Sequence, residues 1–154
     1  MKDKARVANH PIHPMLIPFP IGLWIFSLVA DIIYRANGNV AWANVAYYSM
    51  AGGIIGAIIA AVPGFVDYYV MKPSRVKQVA LSHMIINVTA LILFIVDFVL
   101  RRAAPNAVVP FVLSIIGVVL IIASGWLGGH MVYVLGMAVD ESEVCGVHAH
   151  EARG

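Results

Sequence analysis

Four histidines, His10, His13, His83 and His130, lie at the ends of long apolar segments that are expected to open to one side of a membrane. An imidazole in or beside a bilayer is costly unless it is used, so such a side chain is a candidate for function. Neutral imidazoles bind transition metals and haem iron. The histidines therefore predict a metal or cofactor site in one layer of the protein.

Four apolar segments must position these side chains. The chain has 154 residues, of which 61% are hydrophobic and 12% charged. The segments cover about 15–34, 46–71, 79–100 and 107–135, and a spanning helix needs ~20 apolar residues. We therefore predict an all-α integral membrane four-helix bundle, a single domain over 1–154 with a flexible acidic tail at 140–154.

The same composition argues against several other classes of protein. The formal net charge is only +2 and the basic residues are spread over short loops, which does not favour a nucleic-acid partner. No serine has a paired base at recognisable spacing, so no hydrolase arrangement is predicted. The expected environment is a lipid bilayer.

The basic residues near the ends of the segments predict an orientation. Positive charge is enriched on the cytoplasmic side of membrane proteins. Six basic residues belong to the side that carries the histidines and three to the other: Lys2, Lys4, Arg6, Lys72, Arg75 and Lys77 against Arg35, Arg101 and Arg102. Both termini are therefore expected in the cytoplasm.

Short matches between the two halves of the chain indicate a duplicated helical hairpin. The second and fourth segments share Ile-Ile-Gly, ending at Gly56 and at Gly117, followed eight residues later by a glycine and an aromatic residue. The first and third segments end alike, each with an aspartate four residues before an arginine: Asp31 with Arg35, and Asp97 with Arg101. We interpret both pairs as helical salt bridges at the outer interface.

A stripe of small residues in the second segment predicts a packing face. Gly52, Gly56, Ala60 and Gly64 recur every four residues, which lets another helix approach closely. Asp67 continues this stripe, so its carboxylate is expected to point into the bundle.

The histidine layer fits a b-type haem. Two imidazoles from facing helices, His83 and His130, would be the axial ligands, and Gly64, Gly125, Gly128 and Gly129 would leave room for the ring. The function would then be electron transfer, with quinone as an expected partner.

Other interpretations of the same layer remain open. A transition metal ion would take its ligands from this layer, and the candidates are His10, His13, Asp67, His83 and His130. A second, weaker ligand set is Cys145, His148 and His150 in the tail. The layer could also gate a transporter or channel for a metal ion or small solute, which requires a homo-oligomer. In a non-catalytic accessory subunit, the histidines would only cap helix ends.

Four motifs resemble a bacterial family of four-helix membrane proteins, family 2231 of the domains of unknown function. They are Asn9-His-Pro-Ile-His-Pro-Met-Leu-Ile-Pro-Phe-Pro20, Val62-Pro-Gly-Phe-Val-Asp67, His83-Met-Ile-Ile-Asn87 and Ser124-Gly-Trp-Leu-Gly-Gly-His130-Met-Val-Tyr133. The resemblance runs from His10 to about Val139 and implies a place in the bacterial inner membrane. Relatives are sometimes joined to Rieske-type iron–sulfur modules, which implies a Rieske-type redox partner. Relatives often continue the last motif with a further histidine, and here Val134-Leu-Gly-Met-Ala-Val139 stands instead.

Overall fold

The computed structural model describes residues 6–7, 10–104 and 106–137, and for residues 6, 7, 10 and 11 only the backbone. A short antiparallel ladder, β1 (Arg6–Val7) with β2 (His10–Pro11), precedes five helices. These are α1 (Ile12–Leu16), α2 (Pro18–Asn37), α3 (Val40–Val70), α4 (Arg75–Ala103) and α5 (Val108–Tyr133). Four stretches are long and apolar enough to cross a membrane, with α1 and α2 together forming the first. The predicted membrane four-helix bundle is confirmed.

The helices begin and end at residues whose chemistry suits a terminus. Pro18 stands in the first turn of α2, where no amide hydrogen is needed. Gly38 ends α2 at φ 69°, in the left-handed region, and its N–H donates to the carbonyl of Tyr34 at 2.7 Å. The side chains of Asn39 and Ser74 cap α3 and α4 by accepting hydrogen bonds from backbone amides. These caps lie ahead of the apolar runs, so α3 and α4 start earlier than the sequence predicted.

The short connections make neighbouring helices antiparallel, and the bundle therefore has two distinct ends. We call the end that contains α1, the start of α4 and the last turn of α5 the histidine end. The opposite end, where α2 and α4 finish and α3 and α5 begin, is the arginine end. His13, His83 and His130 lie at the histidine end, as expected from the sequence.

The helices pack as two hairpins, α2 with α3 and α4 with α5. An aromatic ring of each first helix rests on a glycine of its partner: Trp24 on Gly53, and Phe94 on Gly117. The two rings stack across the hairpins, with centroids 4.2 Å apart and planes 11° apart. This stack is the centre of the core, together with Met50, Ala90, Val118 and Ile121.

The outer surface of the bundle is apolar. Large hydrophobic side chains are exposed along every long helix, among them Phe26, Ile55, Ile92 and Ile122. An apolar exterior of this extent in contact with water would drive association, whereas hydrocarbon accommodates it. The exposed faces therefore contact lipid.

Candidate functional site

His13 is held against α3 by its backbone. The imidazole Nδ1 lies 2.7 Å from the carbonyl oxygen of Ala60. A carbonyl only accepts, so Nδ1 carries the proton and Nε2 carries the lone pair. The ring occupies the space beside Gly64, where an added Cβ would lie 2.6 Å from the Cε1 atom of His13. This imidazole therefore packs against the small-residue stripe of α3.

His83 is held in the same way against α5. Its Nδ1 lies 2.9 Å from both the carbonyl oxygen and the hydroxyl oxygen of Ser124. The carbonyl again places the proton on Nδ1. On the other side, the side-chain nitrogen of Asn87 lies 3.0 Å from Nε2 and 2.9 Å from the carbonyl oxygen of His83. The amide of Asn87 therefore donates to the Nε2 lone pair.

The structure brings these two histidines together. Their ring centroids are 6.4 Å apart and their planes meet at 89°. Both rings are half-buried, and each is anchored by a backbone carbonyl of a neighbouring helix. The pair therefore presents two oriented imidazoles, each with its lone pair on Nε2.

His130 lies elsewhere in the same layer. It is half-buried in the last turn of α5, and no hydrogen bond or ring contact joins it to His83 in the described part of the chain. The prediction that His83 and His130 are axial haem ligands is not tested by these contacts. The histidine that lies next to His83 is His13.

Asp67 is buried, with 5% of its surface exposed, which confirms that it points into the bundle. Within residues 6–7, 10–104 and 106–137, no three His, Cys, Asp or Glu side chains come close enough to hold one metal ion. The side chain of His10 and the tail residues Cys145, His148 and His150 lie outside the described residues, as does the predicted tail at 140–154. A shell formed by all the predicted metal ligands stays a prediction.

The glycines predicted to make room for a haem differ from one another. Gly64 faces His13, whose ring fills the space. Gly125 is exposed and has no atom within 4 Å of an added Cβ, and Gly129 meets only Tyr133, at 4.0 Å. Gly128, another glycine of the haem prediction, lies against His83, whose Cε1 is 3.4 Å from a Cβ added at Gly128. The imidazole of His13 therefore fills the space beside Gly64, and the imidazole of His83 lies beside Gly128.

Three groups that orient the imidazoles were not predicted as site residues: the Ala60 carbonyl, the Ser124 carbonyl and Asn87. Asn87 carries a usable signal, because it follows His83 by one helical turn and shares its face. The two carbonyls carry no such signal in the sequence. The packing of two helices decides which backbone oxygen lies next to a given side chain.

A second polar cluster occupies the arginine end. The predicted pairs within one helix are present, Arg35 with Asp31 at 3.5 Å and Arg101 with Asp97 at 3.1 Å. These residues are buried between the helices: Asp31 and Asp97 are 0% exposed and Arg101 only 4%. The Nη1 atom of Arg101 also lies 3.0 Å from the Oδ1 atom of Asp31, so one guanidinium joins both hairpins.

Ser114 completes this cluster. Its hydroxyl donates to Asp97 Oδ2 at 2.5 Å and accepts from Arg101 at 3.1 Å. Arg35 reaches the start of α5 and donates to the carbonyl of Ala107, the residue before the helix, at 2.8 Å. Two carboxylates face two guanidinium groups, so the charges of the cluster balance. This balance favours a structural role over a site for a ligand.

Comparisons with known proteins agree with the architecture. No curated protein and no solved structure matches the chain. A family model described as predicted membrane protein (DUF2231) matches residues 9–141, which includes all four spanning stretches and both imidazoles of the pair. The chain therefore belongs to this family of predicted membrane proteins.

Proposed function

We propose that this membrane protein is a redox protein in which His13 and His83 bind a transition metal between them. The observation that carries the proposal is the matched orientation of the two imidazoles. Each donates its Nδ1–H to a backbone carbonyl, at 2.7 Å for Ala60 and 2.9 Å for Ser124. Histidines that bind metal through Nε2 have this arrangement, because the carbonyl sets the tautomer and the direction of the ring.

The separation of the rings supports one ion between them. With a metal–nitrogen distance of about 2.0–2.1 Å, two imidazoles on opposite sides of one ion have centroids roughly 6–6.5 Å apart. The observed separation is 6.4 Å. Imidazole ligands suit copper and iron, which change oxidation state by one electron and would supply the redox chemistry.

Metal binding by His83 would require the side-chain amide of Asn87 to move away from Nε2. A metal at Nε2 of His83 replaces the amide nitrogen that now lies 3.0 Å away. The amide keeps its other acceptor, the carbonyl of His83 at 2.9 Å. Losing one hydrogen bond of this kind costs about 0.5–1.5 kcal/mol, which is small beside metal coordination. In the absence of metal, Asn87 satisfies the lone pair.

A b-type haem is the second candidate, because haem iron takes two axial imidazoles on opposite sides of the ring. The residues as they stand do not fit the macrocycle, since the ring of His13 fills the space beside Gly64 and the ring of His83 lies 3.4 Å from a Cβ added at Gly128. A haem would need α1 and α4 to separate. A metal ion requires a smaller change, which includes movement of the Asn87 amide away from Nε2 of His83, so the ion is the better supported ligand.

We base the proposed location and redox partners of the protein on its sequence. We place the protein in the inner membrane with both termini in the cytoplasm. Of the three basic residues opposite, Arg35 and Arg101 are paired with aspartates, which leaves Arg102 as the exposed one. Quinone and a Rieske-type protein are the proposed redox partners. An apolar groove beside α1 would admit an isoprenoid tail, and it is lined by Ile12, Leu16, Ile58, Ile59, Val62, Pro63 and Val66.

The test combines metal analysis with a reduced-minus-oxidised absorption spectrum of the protein purified in detergent from cells supplied with copper, iron and haem. We expect close to one metal ion per chain, lost in His13→Ala and in His83→Ala. A sharp α band would identify the metal as haem iron, and its absence would identify a metal ion.

His130→Ala is the matched control, because it removes a half-buried histidine of the same layer that lies outside the pair. We expect it to keep the metal content of the parent protein. Metal content that is unchanged in His13→Ala and His83→Ala, or a parent protein that purifies without metal after all three supplements, would rule out the proposal.

A further inference from the structure

A basic pocket at the histidine end lies between the last turn of α3 and the first turns of α4. It is lined by Tyr68, Pro73, Ser74, Lys77, Gln78 and Leu81. The pocket stands apart from the histidine pair and contains neither of its imidazoles. Its position at the ends of two spanning helices places it at the depth of lipid headgroups.

Lys77 is the fixed cation of this pocket. Its ammonium donates to the carbonyl of Met71 at 2.8 Å and lies 5.1 Å from the centroid of the Tyr68 ring. These contacts hold the side chain in place and use one of its three N–H donors on an acceptor. The ammonium therefore keeps hydrogen-bonding capacity for an anion.

The charged side chains described near the pocket are basic. Lys72 and Arg75 are exposed and lie within five residues of Lys77 in the chain, and the sequence has no acidic residue between Asp67 and Asp97. Asp67 itself is buried among the helices. Among the residues that the structure describes at this end, these three basic side chains complement a negatively charged ligand.

We propose that this pocket binds the phosphate of an anionic glycerophospholipid, such as phosphatidylglycerol. Lys77 would contact the phosphate, Lys72 and Arg75 would attract it from the surface, and the acyl chain would lie along Leu81. Basic pockets between spanning helices on the cytoplasmic side bind anionic headgroups, and each basic residue near the surface contributes about a fivefold gain in affinity. This inference does not depend on metal binding by the histidines.

The experiment is native mass spectrometry of the whole protein in detergent, titrated with phosphatidylglycerol, with phosphatidylcholine and with inorganic phosphate. We expect a saturable complex with phosphatidylglycerol and at least tenfold weaker binding of phosphatidylcholine. Lys77→Gln should weaken phosphatidylglycerol about fivefold, and Lys72→Gln with Arg75→Gln about twenty-five-fold. The double variant changes only exposed side chains, so it keeps the test valid if Lys77→Gln fails to fold.

Arg102→Gln is the matched control, because it removes an exposed basic residue at the arginine end. It should bind phosphatidylglycerol as the parent protein does. Three results would overturn the proposal: equal binding of the two lipids, equal binding by the Lys72→Gln, Arg75→Gln double variant, or an equal loss in Arg102→Gln. Binding of inorganic phosphate as tight as that of phosphatidylglycerol would also overturn it, because the ligand would then be a free anion.

Discussion

The two ends of the bundle each bury polar side chains between the hairpins, but they do so with different chemistry. At the arginine end, charged groups face each other: Arg101 contacts Asp31 at 3.0 Å and Asp97 at 3.1 Å. At the histidine end, imidazoles face backbone carbonyls, at 2.7 Å and 2.9 Å. The first arrangement uses all its charges on one another. In the second, each imidazole has a lone pair on Nε2, and the lone pair of His83 accepts from the neutral amide of Asn87.

This difference separates structural polar groups from candidate functional ones. Removing one member of a buried charged pair leaves an uncompensated charge, so the arginine end can hardly change without loss of the fold. An imidazole exchanges one neutral partner for another at the cost of about one hydrogen bond. We infer that the arginine end holds the hairpins together and that the histidine end is free to bind a ligand.

The largest expected effect comes from Arg101→Met. The substitution leaves two fully buried carboxylates, Asp31 and Asp97, without their shared cation. Breaking a buried pair in this way costs about 3–5 kcal/mol. Denaturant unfolding followed by helical circular dichroism should show this loss or a protein that does not assemble. Arg102→Met, at an exposed position, should unfold like the parent, and equal stability of the two variants would refute the structural role of Arg101.

Two serines allow the same substitution at both ends. Ser114→Ala removes the donor to Asp97 and the acceptor of Arg101, and bonds to charged groups are worth about 1.5–3 kcal/mol. Ser124→Ala keeps the carbonyl that accepts from His83, so we expect a loss of only about 0.5 kcal/mol. Unfolding midpoints of the two variants, measured together, test the contrast. A loss in Ser124→Ala as large as that in Ser114→Ala would remove the distinction between the ends.

Alanine substitutions at two glycines test whether the ring of His13 packs against α3. An alanine Cβ at Gly64 would lie 2.6 Å from the ring of His13, whereas one at Gly125 meets no atom within 4 Å. Forcing an extra methyl into a packed site costs about 1–3 kcal/mol. We expect Gly64→Ala to be destabilised by this amount and Gly125→Ala to match the parent in thermal unfolding. If Gly64→Ala were as stable as the parent protein, the ring of His13 would not pack against α3.

The smallest effect is expected from Arg35→Ala. This arginine is 23% exposed in its side chain, pairs with Asp31 at the longer distance of 3.5 Å and packs on Phe111. Asp31 keeps Arg101 as its partner, so the loss should be about 1 kcal/mol. The ratio of the Arg101→Met loss to the Arg35→Ala loss, from one set of unfolding curves, should exceed two. Equal losses would show that burial does not distinguish the two arginines.

Much of the fold follows from local sequence. Apolar runs predict helices that cross a membrane, and the spacing of Gly56, Ala60 and Asp67 identifies the inward face of α3, since all three are buried. The pairs Asp31–Arg35 and Asp97–Arg101 follow from helical periodicity in the same way. The starts of α3 and α4 were predicted late, because the caps Asn39 and Ser74 are polar and precede the hydrophobic signal.

The candidate site was predicted only in outline. The layer of histidines follows from their positions at helix ends, but the choice of His130 as the partner of His83 rested on depth alone. Depth says nothing about rotation of α5 around its axis. His13 is adjacent because α1 packs across α3, and no sequence period reports that contact.

By itself, the sequence determined which parts of this protein meet lipid, where its helices turn and which layer holds its histidines. These properties depend on composition and on periods within one helix. Only the tertiary structure decided that Arg101 joins two hairpins and that His13 faces His83. Each of these contacts joins helices distant in the chain, and its geometry depends on how the helices rotate and approach one another.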